Sequence, residues 1–120
     1  MNNSPLDTFG KLLVENYIDS GLDKFQELTN GKIKAHSLKK LQEQLKLFDD
    51  NEIEIIKDLL SEILVSTTHD FLFSIQENDI QIIVDNHNVE KLSDGLHGEL
   101  FTEDGWIKKF STHSNAIDFE

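Results

Sequence analysis

Apolar residues recur at three- and four-residue steps through the first two thirds of the chain. Leu6, Phe9, Leu13 and Tyr17, with Leu12 and Ile18 beside them, follow the period of an amphipathic helix. Pro5 suits the first helical turn, Gly21 interrupts the pattern, and a short piece from Leu22 to Leu28 runs into Asn30-Gly31, a helix stop. The spacing predicts helix over about 6–28. Ser37 as an N-cap, followed by Leu38, Leu41, Leu45 and Phe48, predicts a second helix over 37–48. In Asp49-Asp50-Asn51-Glu52 an Asp precedes a Glu by three positions, the arrangement of a capping box. It opens a third helix over 50–77. At 100° per residue, Ile53, Ile55, Ile56, Leu59, Leu60, Ile63 and Leu64 span an arc of about 180°. That width exceeds the stripe of a surface helix and predicts neighbouring elements around much of its girth. Glu54, Asp58 and Glu62 form a row at i, i+4 and i+8 on the other side, where like charges cost about 0.2–0.5 kcal/mol per pair. Only Lys57 offers local relief.

The period changes after Asp79. Ile80-Gln81-Ile82-Ile83-Val84 is a β-branched run, Asp85-Asn86-His87-Asn88 reads as a turn, and Val89 to Leu92 returns. Thr102-Glu103-Asp104-Gly105 lies between Glu99-Leu100-Phe101 and Trp106-Ile107-Lys108-Lys109-Phe110 and predicts a second hairpin with Gly105 at positive φ. A short helix over Leu96 to Phe101 is the alternative. The expected fold is α+β in a single domain over residues 1–120. Helices over 1–77 pack on a small antiparallel β-meander over 79–111, and a loose tail covers 112–120.

Composition narrows the function. In 120 residues there are 11 basic residues, all Lys, against 23 Asp and Glu, for a net charge of −12. A field of that sign opposes phosphate backbones and anionic lipid surfaces and favours basic partners. Residues 1–40 hold six Lys and five acids, whereas residues 41–80 hold two Lys and ten acids, so the acidity begins with the third helix. There is no Cys, which excludes disulfides, thiolate metal sites and cysteine nucleophiles and fits a reducing cytoplasm. No run approaches the roughly 18 apolar residues of a bilayer span, and Met1 to Phe9 lacks the regions of a signal peptide. A cytoplasmic location and no cofactor are the expectations.

Ser66-Thr67-Thr68-His69-Asp70 is the place where the helical pattern turns polar. If the third helix continued, Ser66, Thr67, Asp70 and Ser74 would fall on the arc of Ile63 and Leu60, and a buried lone carboxylate is costly. The helix is therefore expected to break with Thr67 as N-cap and Asp70 as its capping-box partner. The alternative is a continuous helix that carries Asp70 into a polar pocket. His69-Asp70 is also the dipeptide of metal phosphohydrolases, and His97-Gly98-Glu99 has the His-x-Glu of zinc deaminases, whose Cys ligands this chain lacks. His69, Asp70, His97 and Glu99 thus form the alternative reading, an enzyme or metal-binding domain. No Gly-x-Ser-x-Gly elbow or phosphate-binding glycine loop is present. Trp106, with Phe101 and Phe110, suits a hairpin core and, if exposed, would anchor an interface.

Leu92-Ser93-Asp94-Gly95-Leu96-His97-Gly98-Glu99-Leu100, followed by Glu103-Asp104-Gly105-Trp106-Ile107, resembles a signature of small uncharacterised bacterial proteins. In size, acidity and helix-then-hairpin layout the chain is similar to immunity proteins that neutralise polymorphic or contact-dependent toxins. The resemblance implies a non-enzymatic protein that covers the basic cleft of a toxin, often a nuclease. In such a protein Glu54, Asp58, Glu62 and Trp106 would make the contact.

Overall fold

The computed structural model describes residues 4–101 and 103–113. Helix α1 (Pro5–Leu13) starts where Ser4 Oγ accepts the Asp7 N–H at 3.1 Å, with Pro5 in the first turn. It runs without a break through a π-helical turn (Val14–Asp19) into α2 (Ser20–Thr29), and Gly21 does not interrupt it. Gly10, Val14, Ile18 and Leu22 are all buried at four-residue intervals. In a regular α-helix each such step overshoots a full turn by about 40°, and the row would wind off the core. The wider π turn removes that drift and keeps the four on one side. α2 ends at Gly31 with φ 67°, where the Lys32 and Gly31 N–H groups bond the carbonyls of Glu27 (2.9 Å) and Leu28 (3.2 Å), as the Asn30-Gly31 pair predicts.

A 3-10 turn (His36–Leu38) leads into α3 (Lys39–Leu45), which stops before the expected end at residue 48. Helix α4 (Asp50–Glu77) is 28 residues long and carries the expected capping box: Asp49 Oδ1 accepts the Glu52 N–H at 2.8 Å and Glu52 Oε1 accepts the Asp49 N–H at 2.9 Å. The predicted break at Thr67 does not occur. Thr67 Oγ1 donates back to the Ile63 carbonyl at 2.7 Å, so its hydroxyl is satisfied inside the helix. α4 closes at Asp79 (φ 52°), with the Ile80 N–H on the Ile75 carbonyl at 3.1 Å.

The fold is α+β. Strands β1 (Ile83–Val84) and β2 (His87–Asn88) pair antiparallel, Ile83 with Asn88 and Val84 with His87. Asp85 (φ 50°) and Asn86 (φ 65°) form the two-residue left-handed turn between them. The expected second hairpin is replaced by helix. The chain makes 3-10 turns at Val89–Leu92 and Leu96–Leu100, then α5 (Trp106–Phe110). Gly105 has φ −74°, a backbone any residue adopts; it is glycine because a Cβ there would strike the Phe101 carbonyl. The start of the expected loose tail is tied down. The carboxylate of buried Asp19 accepts from Ser111 Oγ (2.6 Å), the Thr112 N–H (2.8 Å) and Thr112 Oγ1 (3.2 Å), and His113 Nε2 lies 2.7 Å from Asp23 Oδ1. Residues 114–120 lie outside the described part.

The core collects at one end of α4. Val14, Ile18 and Leu22 meet Val65, Leu72 and Ile75 of α4 and Val89, Leu96, Leu100, Trp106 and Ile107 of the C-terminal segment. Trp106 is 1% exposed, its ring edge-on to Phe9 at 5.9 Å and flat against Gly10. A glycine within a helix normally costs about 0.5–1 kcal/mol relative to Ala. Here an added Cβ would collide with the indole, so the sign reverses. Gly10→Ala should destabilise the protein by about 1–3 kcal/mol, read from the urea midpoint, with a change in Trp106 fluorescence.

Candidate functional site

The outer side of α4 carries two parallel ridges of residues four apart. The first is Ile55, Leu59, Ile63, Thr67 and Phe71, all exposed. Ile55 is 59% exposed, Leu59 57% and Ile63 48%. The expectation that neighbouring elements would cover this apolar arc is met at half-buried Ile53, Ile56, Leu60 and Leu64 and fails at Ile55, Leu59 and Ile63. α2 packs on α4 from another side, with Gly21 against Leu64, and the 96–100 turn docks further along the helix. The Thr67 hydroxyl is occupied by the Ile63 and Leu64 carbonyls, at 2.7 and 3.3 Å, and does not interrupt the apolar character of the ridge. At its far end Phe71 joins Leu13 and Tyr17 around a hollow of about 380 Å³.

The second ridge is Glu54, Asp58, Glu62, Ser66, Asp70 and Ser74, also exposed throughout. Glu54, Asp58 and Glu62 form the exposed row that their spacing predicts, but beside the exposed apolar ridge rather than on the side opposite the apolar arc. Asp70 extends the row, with its side chain 78% exposed. Asp70 is neither a cap nor a pocket residue. Ile55 and Asp58, and Leu59 and Glu62, are three apart and therefore neighbours across the two ridges. Among the described residues, no lysine reaches ion-pair distance of Glu54, Asp58 or Glu62. Lys57 sits toward α2, lining a hollow of about 190 Å³ with Glu54, Leu22, Phe25 and Ile53, outside ion-pair distance of Glu54. The row of carboxylates sets a negative field along the apolar ridge.

Trp106 does not belong to this surface. Packed into the space that Gly10 leaves open, it has no exposed face with which to anchor a partner. The histidines of the alternative site do come together. The rings of His69 and His97 meet edge-to-face at 5.0 Å, between Phe73 (5.2 Å from His97) and Phe101 (6.0 Å from His69). Asp70 Oδ1 is 3.2 Å from His69 Nδ1. Glu99 is engaged elsewhere: it accepts from Ser93 Oγ at 2.6 Å, and that oxygen accepts the Gly95 N–H at 3.1 Å, closing the loop before the 96–100 turn. Among the described residues, no group of three or more His, Asp or Glu is placed to hold a metal ion. The His69–His97 pair is an aromatic seam between α4 and the 96–100 turn, reinforced by the Leu96 N–H on Gln76 Oε1 at 2.8 Å.

The chain matches no known protein family, no curated protein and no solved structure. The sequence showed the acidic ridge through its i+4 spacing but missed the exposure of the apolar one. A signal was present in the opposite face of α4, where small Ser61 and Thr68 allow the close packing of a core.

If the His69–His97 contact is a packing seam, His97→Ala should lower stability by about 1–2 kcal/mol, the worth of the lost edge-on aromatic contacts. Asp70→Asn should leave the unfolding midpoint in place, and added zinc should shift neither variant nor the parent protein. Thermal melts with and without zinc would read all three outcomes.

Proposed function

We propose that the protein is an acidic, non-enzymatic binding module that takes a basic protein partner along α4. Its most concrete form is a cytoplasmic bacterial immunity or antitoxin protein that neutralises a basic toxin. The observation that carries this reading is the pair of ridges: an exposed apolar row flanked by Glu54, Asp58 and Glu62, which have no ion-pair partner among the described residues. From Ile55 to Phe71 the apolar ridge covers 16 residue steps, about 24 Å along the helix. A ridge of residues four apart is the shape that interlocks with a like ridge on another helix.

Charge selects the occupant. A second copy of this chain would set one row of Glu54, Asp58, Glu62 and Asp70 close to another, adding repulsion where desolvation already opposes the contact. A partner with Lys or Arg flanking its own apolar row meets both ridges at once, and complementary charge speeds and orients the encounter. No internal ion pair of Glu54, Asp58 or Glu62 among the described residues must break first. Among those residues no helix is long and apolar enough to cross a membrane. A toxin whose active cleft is basic, as a nuclease cleft must be to hold phosphates, would be occluded by such a face.

The test is capture from a lysate of the source cells by the parent protein, by E54K/D58K/E62K and by L59Q/I63Q. The expected result is a basic protein whose affinity falls about tenfold or more in both variants and weakens with salt. Expressed alone it should arrest growth, and co-expression of the parent chain should restore it. Undiminished capture by both variants would overturn the surface, and a captured protein that is harmless alone would overturn the immunity role.

A further inference from the structure

The lysines are segregated as strongly as the carboxylates. Residues 32–46 contain Lys32, Lys34, Lys39, Lys40 and Lys46 against a single acid, Glu43, in a chain whose net charge is −12. The fold gathers part of this stretch around one hollow. Gln42 is buried, 6% exposed, and its carboxamide bonds the loop before α3 twice: Oε1 accepts the Ile33 N–H at 3.0 Å and Nε2 donates to the Ile33 carbonyl at 2.7 Å. This pair of hydrogen bonds fixes the loop against α3. Between them lies a space of about 310 Å³ bordered by Lys34, His36, Lys39, Glu43 and Lys46. Among the described residues, Lys34 and Lys39 have no carboxylate partner, although the chain holds 23 acids. Lys46 pairs with Glu43 at 3.2 Å, but both side chains are about three-fifths exposed, so the pair is weak and readily exchanged.

We propose that this hollow binds a compact, multiply charged oxyanion of phosphate or pyrophosphate chemistry. Lysine binds phosphate as a point charge, and Lys34, Lys39 and Lys46 border one space of small-ligand size. Compactness follows from the surroundings. Fields of exposed charges decay over about 8 Å at physiological salt, so a small anion seated among these lysines feels them more than the acids further along α4. Asp49, Asp50 and Glu52 follow within six residues of Lys46 and would repel a longer polyanion that reached them. The site is independent of the α4 surface and stands or falls separately from it.

The experiment is a titration of the full chain with inorganic phosphate, pyrophosphate, ADP and sulfate at constant ionic strength, followed by calorimetry and by amide NMR shifts. The expected result is saturable one-to-one binding of pyrophosphate, tighter than sulfate, with shifts concentrated in residues 31–46. The dissociation constant should rise at least tenfold in K34Q/K39Q, recover in K34R/K39R and stay unchanged in K91Q. Equal affinity for ADP and pyrophosphate would assign the site to the diphosphate group alone, and tighter ADP binding would assign it to a nucleotide; each supports the proposal. Non-saturating shifts spread over all lysines would mean an adventitious ion only and would overturn it. So would binding that K34Q/K39Q leaves intact while circular dichroism shows the fold unchanged.

Discussion

The length of α4 governs the rest of the molecule. Its 28 residues extend for about 42 Å, close to the 47 Å long axis of the whole protein. The other described elements do not clad this rod on all sides. Among the described residues, one well-closed core forms around Val65, Leu72 and Ile75, and α2 packs on one side of α4. Ile55, Leu59 and Ile63 therefore stay in water. Burying side chains of this kind is worth about 1.5–3 kcal/mol each. A partner covering all three would gain several kcal/mol before the cost of association is subtracted. The neighbouring carboxylates contribute less energy than selectivity, because they disfavour every occupant that lacks positive charge.

The two sides of α4 are sorted by size as much as by polarity. Its buried face carries Ser61 and Thr68, whose hydroxyls donate to the carbonyls of Lys57 (3.0 Å) and Leu64 (2.6 Å). Hydroxyls satisfied within the helix can be buried at little cost. Small residues there let the first helical segment and the 96–100 turn come close, whereas the larger aliphatic chains of the first half point to the free side. The same economy explains Gly10, which yields its side-chain space to Trp106, the largest ring in the core.

Local rules made much of this architecture legible. The capping box at Asp49 and the stop at Asn30-Gly31 depend on a few adjacent residues, and both are present, as is the continuous helix over 50–77. Of the turn expected over 85–88, Asp85-Asn86 make the turn and His87-Asn88 pair as β2. The failures depend on room. Gly105 reads as a hairpin glycine until the Phe101 carbonyl is seen beside it. Trp106 to Phe110 is too short for period alone to separate strand from helix. The i−4 bond of Thr67 competes with its capping role, and the sequence pattern does not decide between them. The apolar arc of α4 was visible in full, but its width says nothing about how much chain is left to cover it. Of the candidate site, the acidic row was legible from spacing, Asp70 was misread as a cap or pocket residue, and the apolar ridge became visible only with the fold.

The π-helical turn at Val14–Asp19 holds one residue more than regular winding would need over the same rise. Trimming one exposed residue from this turn, Glu15, Asn16 or Tyr17, would restore ordinary α-helical winding and leave the segments on either side close to their present phase. Gly10 would still face Trp106 and Gly21 would still face Leu64. The extra residue is absorbed locally, so relatives of this chain can differ in length by one residue here without re-phasing the helix.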